Sequence, residues 1–195
     1  MQIAYEDYVC LRFIEEINDQ ENVYKRRPDL VTKARILQEI EKAGKRVDAQ
    51  LKLSDNEIER QSLIDDYQEF EAKQWIEYYN DLTSCFQKIY AIFENQTSMG
   101  KKINFEEYPI IKTFNDVVNV TKHRYGRSLK ALQDTDSKFL HAEGIFPPAT
   151  QYLYSGILMN LDMQDLFDFC EEVKKAWYDV IKDQKEKRLE KGMEF

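Results

Sequence analysis

The sequence predicts an all-α fold, a bundle of four to five long, mostly antiparallel helices. Three observations predict it. Ser54 to about Asn95 holds no Gly and no Pro, and from Trp75 its apolar residues fall at Trp75, Tyr79, Leu82, Phe86, Ile89 and Phe93. Those steps alternate four and three, which is one stripe down a helix. Six Gly and four Pro in 195 residues leave few turns, so the elements are long. No stretch of useful length alternates apolar and polar residues as a half-buried strand does.

The first helix is predicted over residues 3 to 18, with Ile3, Val9, Leu11, Phe13, Ile14 and Ile17 on a broad apolar side. Lys25-Arg26-Arg27-Pro28-Asp29 breaks the pattern, and Pro28 suits a helix start because its missing N–H costs nothing there. Leu30, Ala34, Leu37, Ile40, Val47 and Leu51 give a second stripe ending near Leu53. Ser54 and Glu57 form an S-x-x-E capping box for the long helix that follows. The second and third helices therefore meet at a very short turn and are predicted to pack antiparallel. Leu63, Tyr67 and Phe70 continue the long stripe upstream, displaced by one residue, as a helix with 3.6 residues per turn requires. Unbroken, that helix is roughly 60 Å long.

A loop follows at Asn95 to Lys102. Glu107-Tyr108-Pro109 opens the next helix, whose buried side is predicted to be Ile110, Ile111, Phe114, Val117, Val118 and Thr121, with Gly126 ending or kinking it. Residues 127 to 133 add a further turn or two. Asp134 to about Asn160 reads as a long connection with short helical pieces, because Gly144-Ile-Phe-Pro-Pro148 does not continue a helix. Asp162 caps the last long helix, in which Met163, Leu166, Cys170, Val173, Trp177, Val180 and Ile181 repeat at three and four. The chain is thus read as one domain over residues 1–181, with residues 182–195 a charged helical extension or tail of five basic and four acidic residues.

Composition narrows the function classes. With 43% apolar and 33% charged residues the chain is of the folded, not the disordered, type. Its net charge of −8 means that nucleic-acid binding needs a local basic patch, because the overall field repels a polyanion. Cys10, Cys85 and Cys170 lie far apart among apolar residues and read as buried free thiols. The first residues include Glu6 and Asp7 rather than a basic apolar leader, and no run approaches the ~18 apolar residues of a membrane span, so a cytoplasmic protein without a membrane partner is expected.

The most unusual stretch is Asn119-Val-Thr-Lys122-His123-Arg124-Tyr125-Gly126-Arg127-Ser-Leu-Lys130. From Val117 to Gln133 there are four Lys or Arg residues and no acid. On a helix Asn119, Lys122 and His123 are three and four apart and share a face. Such a group could bind a phosphate, and a His beside Arg can relay protons near pH 7. The same cations are also what a helix C-terminus favours through its dipole, and both readings stand at this point.

In form, Asn119-Val-Thr-Lys122-His123-Arg124 resembles the N-x-x-K-H-R motif of some members of the HEPN superfamily, helical-bundle proteins many of which are ribonucleases of toxin and antiphage systems. The likeness extends to the order of elements over residues 55 to 181. It implies RNA as partner or substrate, a homodimer that joins two motifs, and no metal or cofactor. It implies His123 as acid or base, Arg124 or Arg127 holding the scissile phosphate, and Asn119, Lys122 and Lys130 around the substrate. The chain departs from the usual pattern, an Arg four to six residues before the His. No Arg lies four to seven residues before His123, where Asn119, Val118, Val117 and Asp116 stand, and Arg124 and Arg127 follow the His. A degenerate nuclease that only binds or dimerises fits the same resemblance.

Other constellations fail on spacing. Neither His123 nor His141 has a Glu three residues earlier, as di-iron bundles require. Two His and three scattered Cys do not make a zinc site. The dense acids Asp65, Asp66, Glu69 and Glu71 read as a solvated helix face. Twelve Tyr, eleven Phe and two Trp are mostly core. Any exposed among Tyr67, Tyr78, Tyr79, Tyr90, Tyr152 and Tyr154 would mark a protein-partner surface, which is the alternative reading: a non-catalytic helical interaction protein.

Overall fold

The computed structural model describes residues 4–26, 33–98 and 103–192. Among these residues every regular element is helical. The α-helices are α1 (Tyr5–Arg26), α2 (Lys33–Leu51), α3 (Glu57–Ser98), α4 (Pro109–His123), α5 (Arg127–Asp134), α6 (Pro148–Leu153) and α7 (Met163–Glu190), with short 3-10 turns at Phe105–Glu107 and Lys138–Leu140. Among the described residues no helix is long and apolar enough to cross a membrane. The chain divides into two compact units, one of Met1–Arg27, Ser84–Ala131 and Asp162–Phe195, the other of Pro28–Thr83 and Leu132–Leu161. α3 contributes residues to both.

In the first unit α1, the C-terminal part of α3, α4 and α7 pack around a shared aromatic core. Phe114 of α4 stacks on Phe169 of α7 at 3.7 Å between centroids and on Phe86 of α3 at 4.8 Å. Phe93 meets Phe169 edge-on at 5.8 Å, and Phe13 lies 4.9 Å from Trp177. Full burial of each such ring contributes about 1.5–3 kcal/mol. α1 and α7 run antiparallel, because Asp7 pairs with Arg188 at 2.5 Å while Glu21 pairs with Lys174 at 2.8 Å. Gln96, itself buried, ties three helices together. Its amide donates to the Phe13 carbonyl at 3.2 Å and to Glu16 at 3.0 Å, and its oxygen accepts from the Trp177 indole N–H at 2.9 Å.

α1 runs eight residues past its predicted end. The apolar stripe stops at Ile17, but the same face continues as Glu21 and Tyr24, both buried. Glu21 is tolerated there because Lys174 and Lys25 reach its carboxylate. Burial pushes that carboxyl up, yet the two ammonium groups bring it below the usual carboxylate range. α7 likewise continues through Glu190 as a helical extension, held by the Asp7–Arg188 pair. Its start is as read: Asp162 accepts from the Asp165 N–H at 2.9 Å, and Asp165 accepts in return from the Asp162 N–H at 3.1 Å. All three cysteines are buried and outside any disulfide, and burial, with the nearby Glu21 carboxylate, pushes the Cys170 thiol up to about 12.

In the second unit α2 lies against the N-terminal part of α3, with the Tyr67 hydroxyl 3.5 Å from the Ile40 carbonyl. The long helix does not begin on the Ser54–Glu57 box. Asn56 is the cap, its Oδ1 accepting from the N–H groups of Ile58 at 3.0 Å and Glu59 at 3.4 Å, while the Ser54 hydroxyl donates to the Glu59 carboxylate at 2.7 Å. Asn is at least as good a cap as Ser, and here it sits at the right distance from the first turn. The irregular segment after α5 folds over the middle of α3. Phe146 packs edge-on against Trp75 and Tyr79, and the Tyr79 hydroxyl donates to the Ile157 carbonyl at 2.9 Å. Gly156 allows the Tyr154 ring to lie closer than any Cβ would permit, 2.5 Å from where that atom would stand. Pro28, read as a helix start, and the Gly100 loop centre lie outside the described residues.

Of the tyrosines weighed for a partner surface, Tyr78, Tyr79 and Tyr90 are buried, Tyr79 as its place in the long apolar stripe predicts. Tyr67 and Tyr154 are half-buried, and of the six only Tyr152 is widely exposed. In α4 Ile110 is exposed and Val120 takes the buried place.

Candidate functional site

α4 is the rigid mount of the basic stretch. Pro109 stands at its first turn, and Ile111, Phe114, Val117, Val118 and Val120 are buried along one side. That face fixes where the last turn, with Lys122 and His123, emerges into solvent. The helix ends on Arg124, which adopts a left-handed conformation (φ 65°, ψ −13°) and donates its N–H to the Val120 carbonyl at 2.8 Å. Glycine or asparagine usually fills such a position, and an arginine there costs about 1 kcal/mol. Gly126 then turns the chain at φ 109°, and α5 begins at Arg127.

The corner so formed is open. Lys122, His123, Arg124, Tyr125, Arg127 and Lys130 are all exposed. Tyr125, at 80% exposure, stands between the flanking arginines and was not among the residues the sequence singled out. Its signal is the coincidence of a turn glycine, flanking cations and an aromatic ring. Arg127 and Lys130 are three apart and lie on one side of α5.

Polar contacts at the base of the corner run inward. The Lys122 ammonium lies 5.4 Å from the centre of the Tyr90 ring. The Tyr90 hydroxyl donates to Asn115 Oδ1, which also accepts from the Asn119 amide at 3.2 Å. Burial, with the Glu94 and Asp116 carboxylates, pushes the Tyr90 phenol up to about 12, so it stays a hydrogen-bond donor at neutral pH. Gln87 of α3 donates to Thr121 at 3.2 Å, and Thr121 to the Val118 carbonyl at 2.8 Å. Asn119 is half-buried and joined to this network, so it belongs to the support of the corner more than to its outer surface.

His123 has no hydrogen-bond or ion-pair partner among the described residues, so no neighbour fixes its tautomer or aim. The imidazole that does face a carboxylate is His141, whose Nε2 is 3.0 Å from Asp136 Oδ1. Both members of that pair are largely exposed. Asp136 is the other non-glycine residue at positive φ, 47°. The sequence did not point to this pair, because five residues apart across a 3-10 turn is no motif. A cavity of about 230 Å³ elsewhere is lined by Leu140, Ala142, Glu143, Gln151, Gly156 and Leu158, none of them a residue of the basic stretch.

The helix dipole accounts for part of the arrangement only. Lys122 and His123 occupy the last turn of α4, where a cation is favoured by about 0.3–1 kcal/mol. Arg127 is the first residue of α5, where the dipole disfavours a cation, and that first turn carries no acid. Gly126, before it, offers no side-chain acceptor to the first N–H groups. A helix start of this kind, with a guanidinium beside it, is suited to an anion.

No protein-family model matches this chain, and neither a curated protein nor a solved structure matches it.

Proposed function

We propose that the chain is an RNA-binding helical protein, a relative of the HEPN superfamily that uses the α4–α5 corner to hold the RNA backbone. The observation that carries this reading is Arg127 at the start of α5. It is a cation where the fold alone would place an acid, exposed beside Lys122, Arg124 and Lys130 in a chain of net charge −8. In this reading the four cations take phosphates, and Tyr125 offers its ring to an unpaired base, as single-strand binders do. His123 stands among them, exposed at the end of α4.

Binding without cleavage is the form of the proposal that the geometry favours. A general base is held and aimed by a neighbour, and among the described residues of one copy His123 has none. The metal-independent ribonuclease reading, with His123 as base and Arg124 or Arg127 on the scissile phosphate, requires a second copy to supply that neighbour. One experiment separates the cases. A 5′-labelled single-stranded RNA is titrated with the protein in EDTA, followed by anisotropy and then by gel. Wild-type binding that drops at least tenfold in Arg124→Ala/Arg127→Ala, with the RNA intact, is the expected result. Cleavage abolished by His123→Ala would restore the nuclease reading, and equal binding by wild type and the double variant would remove the site altogether.

A further inference from the structure

From Glu41 to Glu71 no residue is buried. The stretch nonetheless carries Val47, Leu51, Leu63, Ile64, Tyr67 and Phe70 along the line where α2 meets α3, each only half-buried. Leu53 and Ile58, at its tip, are 85% and 83% exposed. Nearer the base the same two helices are sealed: Ile36, Ile40, Ala72 and Trp75 are buried, the last under Phe146. The hairpin therefore projects about 20 Å past its covering, at 1.5 Å per residue. Two helices with an uncovered seam are marginal in water, because helix stability comes chiefly from packing an apolar face. The pairing itself is close. A Cβ on Gly44 would stand 3.2 Å from the Tyr67 hydroxyl.

The charges of the two arms are opposed. Ser54 to Glu71 holds seven acids and one base, and Glu41 to Leu53 holds four bases and two acids. On α3, Leu63, Asp66 and Phe70 form one stripe at spacings of three and four. On α2, Ala43, Arg46 and Gln50 form another. In an antiparallel pair set by the Gly44–Tyr67 contact, these stripes edge the same side of the seam. Arg46 and Asp66 are exposed, and among the described residues neither makes an ion pair.

We propose that this face of the hairpin is a self-association surface whose occupant is the same face of a second copy. A two-fold axis lays the basic arm of one copy beside the acidic arm of the other, closing a four-helix bundle around Leu63 and Phe70. Arg46 of each copy then meets Asp66 of the other. Like arms lie on the diagonals, where distances beyond about a Debye length of 8–10 Å are screened more than the neighbouring, opposite-charge pairs. The area sets the strength. Two helices about 10 Å wide over about 20 Å give a footprint of about 400 Å² per copy, below the ~800 Å² of an ordinary stable interface. The association is therefore reversible and weak. It uses residues remote in sequence from the basic corner and does not depend on the RNA reading.

The test is sedimentation equilibrium of the full chain from about 1 to about 200 µM, the range in which an interface of this size dissociates. A monomer–dimer equilibrium within that range is expected. Asp66→Arg alone and Arg46→Glu alone, both at exposed positions that leave the seam intact, should each weaken dimerisation at least tenfold. An equimolar mixture of the two should recover wild-type association, because both cross-pairs are then opposite in sign. A wild-type monomer throughout the range overturns the proposal. So does a dimer that neither charge reversal weakens, or a mixture that fails to recover.

Discussion

Salt dependence gives the sharpest test of the α4–α5 corner, because its magnitude follows from the charges counted there. Each phosphate neutralised on a single strand contributes about −0.7 to the slope of log affinity against log salt. Lys122, Arg124, Arg127 and Lys130 are four exposed cations, so full engagement gives a slope of about −2.8. Between 50 and 200 mM salt the affinity then falls about 50-fold. Removing Arg124 and Arg127 together halves the slope to about −1.4, and the same salt step costs only about sevenfold. The assay is anisotropy of a labelled single-stranded RNA at four or five salt concentrations, with pH held fixed. The acidic remainder of the chain supplies the contrast. Were binding diffuse, the net charge of −8 would repel the RNA, and added salt would strengthen the complex or leave it unchanged. A slope near zero or positive, or one that the double variant does not alter, refutes the argument from this corner.

Three further outcomes are expected. Arg124→Gly relieves the left-handed strain at the end of α4, so its unfolding free energy in urea should equal or exceed wild type by up to about 1 kcal/mol while RNA affinity falls; a loss of stability with affinity unchanged would mean the guanidinium serves the fold. Gln96→Leu leaves the Trp177 N–H buried and unpaired, at about 1–3 kcal/mol, and a double-mutant cycle with Trp177→Phe should show coupling of about 1–2 kcal/mol; additive single effects would show that the bond carries nothing. Glu21 is held below its ordinary 4.5 by Lys174 and Lys25, so its contribution is present above that pH and lost as pH falls through the lower folded value. Glu21→Gln should accordingly flatten the decline of stability on the acid side, and an unchanged acid limb in urea unfolding would contradict the assignment.

Most of the helices were legible because periodicity is a property of burial. The stripe from Trp75 to Phe93 and the one from Leu166 to Ile181 are core faces, and both appear as helices over those residues. Polar atoms with specific partners account for much of what the stripes leave out. α1 runs on because Glu21 is buried against two lysines. Asn56 caps α3 because its amide reaches the first-turn N–H groups, which an S-x-x-E pattern does not weigh against Ser54. Tyr78, Tyr79 and Tyr90 are core although each has a hydroxyl. For Tyr79 and Tyr90 that hydroxyl finds Ile157 or Asn115, partners supplied by segments distant in sequence and so invisible to a local reading.

The corner divides the same way. That a basic run interrupts an acidic chain is plain from residue types alone, as is the presence of His123. What that run does depends on where α4 stops, and this is set by Arg124 in a conformation that sequence statistics assign to glycine. Had Gly126 ended α4, Arg124 would have stood in its last turn, where the dipole favours a cation. Because α4 stops three residues sooner, Arg127 becomes the first residue of a new helix, and its charge opposes that helix's own dipole. Water solvates that exposed charge, and an anion bound at the helix start would offset it further. Lys122 and His123 are set on a helix whose other side is packed by Phe114, Val117 and Val118, so under the proposed RNA binding little ordering of that turn would remain to be done.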